Sequence, residues 1–194
     1  MLNEVIFDIE TIGDIADLTT MEVTVVSIYE YEHDCYTSFE RHELGKLWPI
    51  MERAARLIGY NSEHFDLPIL NRYYPGNFMT FPHLDLLKVI KESIGRRLKL
   101  NDVAQATLDN VKKGGDGLQA IKWWKEGKID EIKKYCEQDV KVTKEIYEFG
   151  KNNKQLFYKS LIGEIVPFAV NFDFTSVIKE ISGKEKNINL TLPF

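Results

Sequence analysis

Three short motifs hold the side chains whose types and spacing could do chemistry: Asp8 with Glu10, Asp66, and Tyr135 with Asp139. Asp8 and Glu10 lie at the end of an apolar run, residues 2–8, that we predict to be a buried strand. Side chains alternate along a strand, so both carboxylates should point to the same side. They repel each other unless a cation lies between them, and a divalent ion is the obvious candidate. A pair of exposed acids at a strand end is the alternative.

The other two motifs each add one carboxylate. Asp66 follows a short apolar strand and the turn at Asn61–Ser62, although a lone aspartate is more often a surface acid. Asp139 lies four residues after Tyr135 in a long predicted helix and therefore on the same face. That face carries an apolar stripe, namely Ile132, Tyr135, Cys136, Val142 and Ile146. We therefore expect Asp139 to be buried, which is costly unless the carboxylate is paired or binds a metal.

Hydrophobic periodicity predicts the elements that must position these groups. Strands are expected at residues 2–8, 22–30, 34–39, 57–60 and 83–87. Helices are expected at residues 43–56, 64–74, 101–108 (with Asn101 as its cap), 118–126 and 130–149, and residues 114–117 should form a glycine-rich loop. Strands come first and then alternate with helices, which predicts an α/β fold with a mixed β-sheet flanked by α-helices.

Together the motifs resemble those of the DEDD (DnaQ-like) 3′–5′ exonucleases, a superfamily with a ribonuclease H-like fold. The patterns D-x-E-T, N-x4-D and Y-x3-D occur in the family's order, and the resemblance covers about residues 3–149. The segment Leu98–Ala104 is similar to one in family-B polymerase proofreading domains. One branch of the family has a histidine five residues before the last aspartate, where this chain has Lys134. The other, DEDDy, has a tyrosine four residues before it, and Tyr135 is there.

The resemblance implies a metal-dependent 3′–5′ exonuclease that hydrolyses DNA or RNA with two divalent ions, Mg²⁺ or Mn²⁺. The metal ligands would be Asp8, Glu10, Asp66 and Asp139. Tyr135 would orient the attacking water. Substrate contacts are expected from Thr11, Ile12, Asn61, Phe65, Arg96 and Arg97, with Leu67, Lys99, Lys112 and Lys113 as further candidates; core packing or solvated surface charge is the alternative for each. Adjacent residues on a helix do not share a face, so we expect one of Trp123 and Trp124 to pack and the other to be partly exposed.

Charge is distributed unevenly along the chain. The net charge is −5, yet residues 1–90 hold 15 acidic and 6 basic side chains, whereas residues 91–155 hold 11 and 15. This suits a site with metal on one side and phosphates on the other, although solvated helix faces would look the same. Two cysteines give no disulfide framework, and we expect both to be reduced. With no signal peptide or membrane-spanning run, we expect a cytoplasmic protein.

We predict an exonuclease domain at residues 1–150 and an extension of unknown role at residues 151–194, in which residues 165–174 could add a strand and residues 183–187 a polar linker. The ending Asn189–Phe194 resembles the hexapeptide by which bacterial proteins bind the sliding clamp, and a terminal strand is the alternative. Three other functions remain open: a nuclease with another mode of cutting, a catalytically inactive ribonuclease H-like module that binds nucleic acid or a partner protein, and a structural domain with coincidental acids.

Overall fold

A mixed β-sheet forms the centre of the computed structural model, which describes residues 3–108 and 118–173. Within those ranges its strands are β1 (Glu4–Ile12), β2 (Glu22–Glu30), β3 (Cys35–Glu40), β4 (Arg56–Gly59) and β5 (His83–Asp85). Their order is β3-β2-β1-β4-β5. The pairs β1–β2 and β2–β3 are antiparallel, whereas β1–β4 and β4–β5 are parallel. The predicted mixed sheet is therefore confirmed.

Helices cover both faces of this sheet. They are α1 (Leu44–Arg53), α2 (Asp66–Leu70), α3 (Leu86–Ile94), α4 (Leu100–Thr107), α5 (Leu118–Lys125) and α6 (Ile129–Asn153). Phe7 of β1 packs in one core with residues of α1 and α2. Its neighbour Ile6 points the other way, into a second core built with α3, α4 and α6. Because β1 is buried on both faces, its alternating side chains reach two separate layers.

Several boundaries differ from the sequence prediction. Strand β1 continues to Ile12 rather than ending at residue 8, because β2 pairs with it along that whole length. Helix α2 ends at Leu70, short of the predicted residue 74. The cap of α4 is Lys99 rather than Asn101, and the Lys99 side chain makes no capping hydrogen bond. The sequence prediction therefore placed the cap of α4 two positions too late, at a polar residue that lies inside the helix.

A β-hairpin follows α6, and only its second strand was predicted. It consists of β6 (Gln155–Lys159) and β7 (Ile165–Ala169), which pair antiparallel. Its buried side chains and those just after it join the second core; they are Leu156, Phe168, Val170 and Phe172. The hairpin and the residues after it thus share a core with the sheet, and the division at residue 150 stays a prediction.

Several predicted features lie outside the described residues. These are Lys112 and Lys113, the glycine-rich loop at 114–117, the linker at 183–187 and the clamp-like ending Asn189–Phe194. Among the described residues, no helix is both long enough and apolar enough to span a membrane.

Candidate metal centre

Asp8 and Glu10 lie on the same side of β1, as their spacing requires. Phe7 and Ile9 between and beside them point into the opposite core. Ligand atoms of Asp8, Glu10 and Cys136 all lie within 4.8 Å of one another. The register of β1 against β2 shifts between Glu10 and the next residue, so a bulge ends the acidic segment. Such bulges re-aim side chains near functional sites.

Asp66 reaches this cluster from the turn after β4. The turn depends on Asn61, whose φ of 64° lies in the left-handed region that asparagine tolerates better than most residues. Asp85 at the end of β5 holds the turn: its Oδ1 accepts a hydrogen bond from Asn61 N at 2.8 Å, and its Oδ2 accepts one from Glu63 N at 3.0 Å. Asp66 then starts α2 and is 4% exposed.

Helix α6 brings Asp139 and Cys136 against β1. The Cys136 thiol is fully buried and donates to the Asp8 carbonyl oxygen at 3.3 Å. Asp139, one turn further along, is half-buried rather than buried as predicted. Cys136 and Val140 take the positions that face the core, which leaves Asp139 at the margin of the apolar stripe. A half-buried carboxylate at the edge of a core is open to solvent and to a ligand.

The pKa values of all four carboxylates are raised, and repulsion within the cluster contributes to the shifts of Asp8 and Glu10. Burial, then repulsion from Asp66, Asp139 and Glu10, raises the pKa of Asp8 well above its ordinary value. Burial, then repulsion from Asp139 and Asp66, raises the pKa of Glu10 to about 8. Burial raises the pKa of Asp66 to about 7 and that of Asp139 to about 6. The protein therefore holds negative charge here at a cost in free energy.

These residues fit a divalent cation. Carboxylate oxygens are the ligands that Mg²⁺ and Mn²⁺ prefer, and a cation would relieve the repulsion that adds to burial in raising the pKa values of Asp8 and Glu10. The sulfur of Cys136 lies 3.7 Å from Asp8 Oδ2 and adds a softer atom at the edge of the set. The acidic cluster is what the structure establishes; the assignment of each residue as a ligand remains a prediction.

Comparison with known proteins places this fold in a family. A family model of the RNase H superfamily matches residues 5–149. The chain belongs to the RNase H superfamily. A search of curated proteins found no match. Among solved structures, a family B DNA polymerase from the hyperthermophilic archaeon Pyrobaculum calidifontis is similar, with 17% identity and a TM-score of 0.61. The match covers 77% of this chain and 24% of that polymerase, and it shows a shared fold.

Tyr135 of this RNase H superfamily protein lies beside Trp123. Its ring is 6.0 Å from that of Trp123, centroid to centroid, in an edge-to-face arrangement. Trp123 and Trp124 are both half-buried and both pack against the small cluster that contains Cys136. One tryptophan was expected to pack and the other to be partly exposed; instead both are half-buried, because α5 packs against α6 with both rings near the contact.

The predicted substrate contacts fall into two groups. Thr11 and Ile12 are half-buried at the end of β1, next to the acidic pair, and Phe65 is half-buried against the first core. Arg97 donates from Nη2 to Asn61 Oδ1 at 2.5 Å, which brings its charge to the turn that carries Asp66.

The remaining candidates lie away from the acidic cluster or inside the protein. Arg96 points away from Arg97 and stacks over the ring of Tyr158, 4.4 Å from its centroid. Lys99 is exposed at the start of α4, whereas Leu67 is 2% exposed and belongs to the core.

Two residues of the site were missed as functional. Cys136 was interpreted only as a buried thiol, yet it contacts Asp8; its position three residues before Asp139 on a helix was the available signal. Asp85, at the end of β5, was not among the predicted site residues. Its Oδ1 caps α3 by accepting from Leu87 N at 2.9 Å. The same carboxylate accepts from Asn61 N and Glu63 N, so Asp85 fixes the Asp66 turn to the start of α3.

Proposed function

We propose that this protein is a metal-dependent 3′–5′ exonuclease of the DEDDy branch that hydrolyses the terminal phosphodiester bond of DNA or RNA. The observation that carries the proposal is the convergence of Asp8, Glu10, Asp66 and Asp139, whose pKa values are all raised in a site built from a strand, a turn and a helix. Acidic side chains with raised pKa values are concentrated at functional sites.

The four carboxylates would hold two divalent ions, Mg²⁺ or Mn²⁺. Ions held there activate water as the nucleophile and neutralise charge on the phosphate during hydrolysis. Asp8 is the most central of the four, since the other three all raise its pKa. Asp66, fixed by the Asn61 turn and by α2, holds its carboxylate in one position, and Asp139 completes the set from the side open to solvent.

Tyr135 would orient the attacking water through its hydroxyl group. The ring is held by Trp123 and by its place on α6, four residues before Asp139. A tyrosine hydroxyl has an ordinary pKa of about 10, so it acts as a hydrogen-bonding group rather than as a free base. The terminal nucleotide would approach along side chains near the acidic cluster, namely Thr11, Ile12, Asn61, Phe65 and Arg97.

The test is cleavage of 5′-labelled single-stranded DNA and RNA with Mg²⁺, Mn²⁺ or EDTA. We expect a ladder that shortens from the 3′ end, and its loss with EDTA and in Asp8→Asn. Asp130→Asn is the matched control, because Asp130 is an exposed aspartate on the same helix as Asp139. A substrate blocked at its 3′ end should resist cleavage. No cleavage with either metal by the folded protein would reject the proposal and favour an inactive module that binds nucleic acid.

A further inference from the structure

The β6–β7 hairpin carries the most exposed apolar side chains of the described structure at its tip. Leu161 is 99% exposed, Ile162 is 81% exposed, and Ile165 at the start of β7 is 53% exposed. Large apolar side chains displayed this openly at a turn serve no packing within the described chain. Clustered exposed apolar groups mark surfaces that contact another molecule.

The hairpin that presents this tip is firmly held. Phe157 N donates to Thr107 Oγ1 at 3.0 Å, and the same hydroxyl donates to Phe157 O at 3.2 Å, which ties β6 to the end of α4. Ser93 Oγ donates to Ala169 O at 2.6 Å, which ties β7 to α3. The tip therefore projects from a fixed base, and a ligand that binds it meets a preformed surface.

A cleft of about 620 Å³ lies beside the tip, which we name the hairpin cleft. Its lining includes Arg96, Leu98, Asp102, Tyr158 and Lys159. Arg96 and Lys159 are exposed, and among the described residues neither makes an ion pair. Tyr158 holds the Arg96 guanidinium over its ring. Two cations against one carboxylate, that of Asp102, make the lining complementary to phosphate.

One loop joins the hairpin cleft to the candidate metal centre. Arg96 lines the cleft, while the next residue, Arg97, hydrogen-bonds Asn61 in the turn that carries Asp66. Arg97 and Lys91 also line a second cleft of about 380 Å³, whose lining includes the acidic Glu63 and Asp85 and the Lys88 that pairs with Glu63 at 2.8 Å. A strand whose 3′ end lies at the acidic cluster can thus meet basic side chains on the way to the hairpin.

We propose that the β6–β7 hairpin binds the part of a single-stranded nucleic acid that lies upstream of its 3′ end. Arg96 and Lys159 contact phosphates in the hairpin cleft, and Leu161 and Ile162 contact bases at the tip. Basic grooves combined with aromatic side chains are the usual platform for single strands, and here the ring of Tyr158 lies in the cleft while aliphatic side chains stand at the tip. The inference rests on the proposed exonuclease function for the position of the 3′ end, and it gives the residues after 150 a role in holding substrate.

The test compares binding of short and long strands to the full-length protein. Fluorescence anisotropy would use labelled DNA and RNA of about 4 and about 16 nucleotides, in Ca²⁺ to limit cleavage. The variants are Arg96→Gln with Lys159→Gln, and Leu161→Ser with Ile162→Ser. Lys46→Gln is the control, because Lys46 is an exposed lysine on α1, which packs on the opposite face of the sheet. All changed side chains are exposed, and thermal unfolding would check the fold.

We expect the charge variant to raise the Kd of the long strand about tenfold and to leave that of the short strand within about twofold. The dependence of log Kd on log salt should weaken by about 1.4, since each lost phosphate contact removes about 0.7 for single strands. The tip variant should raise the Kd of the long strand at an unchanged salt slope. Unchanged long-strand binding in the charge variant, or an equal loss for short and long strands, would overturn the inference.

The outcomes separate this inference from the proposed function. If wild-type protein fails to cleave, but the charge variant binds the long strand more weakly than wild-type protein does and the short strand equally well, the hairpin binds nucleic acid and the exonuclease proposal fails. If wild-type protein cleaves and the variants bind long strands as it does, only the hairpin inference fails. Binding of neither strand by wild-type protein would overturn it as well.

Discussion

The Sγ atom of Cys136 lies 3.7 Å from Oδ2 of Asp8, so a thiol borders the most central carboxylate of the acidic cluster. Sulfur prefers soft cations, whereas carboxylates prefer hard ones. We predict that Cys136→Ser weakens Cd²⁺ binding by about tenfold or more and leaves Mg²⁺ binding unchanged. Isothermal titration calorimetry of both proteins with each ion measures this. Equal Cd²⁺ affinity in the two proteins would contradict the prediction.

Removal of a carboxylate from the cluster should raise the stability of the metal-free protein and lower its nuclease activity. Asp8→Asn relieves repulsion in the metal-free protein, so we expect its Tm to rise by about 2–4 °C, which corresponds to about 1 kcal/mol in a chain of this size. Cleavage should fall by about 100-fold or more. Scanning calorimetry in EDTA and the cleavage assay check both, with Asp130→Asn as the control. A lower Tm in Asp8→Asn would mean that Asp8 is a structural acid.

The metal-free protein should lose stability as the pH rises. The pKa of Glu10 is raised from 4.5 to about 8, so between these values the folded state binds more protons than the unfolded state. The free energy of unfolding therefore falls through this window as the pH increases. We expect Tm in EDTA to decrease from pH 5 to pH 8, and the decrease to shrink in Glu10→Gln and with saturating Mg²⁺. A Tm gap between Mg²⁺ and EDTA that does not widen with pH would count against this.

Tyr135→Phe should lower kcat and spare metal binding. The variant keeps the ring that packs against Trp123 and removes only the hydroxyl group. A hydrogen bond to a charged or activated group contributes about 1.5–3 kcal/mol, so we expect kcat to fall by about 10- to 100-fold. Steady-state kinetics and the Mg²⁺ dependence of the rate measure the two effects. Trp123→Phe is the matched variant: it changes the packing and leaves the hydroxyl group in place.

The buried pair of Arg56 and Glu4 should be sensitive to the loss of one partner. Arg56 Nε donates to Glu4 Oε1 at 3.0 Å, and both residues are at most 4% exposed. Arg56→Met leaves the Glu4 carboxylate with Lys151 as its remaining cation, so we expect a loss of about 3 kcal/mol in the free energy of unfolding, the lower end of what loss of one partner of a buried pair costs. Urea denaturation measures it. The double variant with Glu4→Gln should recover part of the loss, and no recovery would show that the pair is not coupled.

Local patterns predicted the parts of the site that lie within one element. The shared side of Asp8 and Glu10 follows from strand alternation, and the shared face of Tyr135 and Asp139 follows from helical spacing. Cys136 against Asp8 could not be predicted in this way, because the contact joins residues 128 positions apart. The half-burial of Asp139 likewise depends on how α6 rotates against the sheet, which the stripe alone does not fix.

The fold shows the same division between local and distant information. The bounds of β2 and β3 were predicted within one residue, because each strand is an apolar run and a short polar segment separates them. Strand β6 was missed: only Lys154 separates its start at Gln155 from the end of α6 at Asn153, and Lys154 makes the reversal with a φ of 56°. A lysine in the left-handed region carries no turn signal, and the strand is recognisable only by its packing on α4.

The guanidinium of Arg56 also has a bearing on how the chain is made. Its Nη1 donates to Phe172 O at 3.1 Å across 116 positions, and Tyr147 donates to Glu4 Oε2 at 2.7 Å across 143. During synthesis the first strand and its arginine neighbour leave the ribosome long before these partners exist. A nascent chain halted before Tyr147 would lack the groups that bury the pair of Arg56 and Glu4. We therefore expect this part of the core to form only after nearly all of the described chain has been made. Contacts at such separation also slow folding, since the intervening loop must close first.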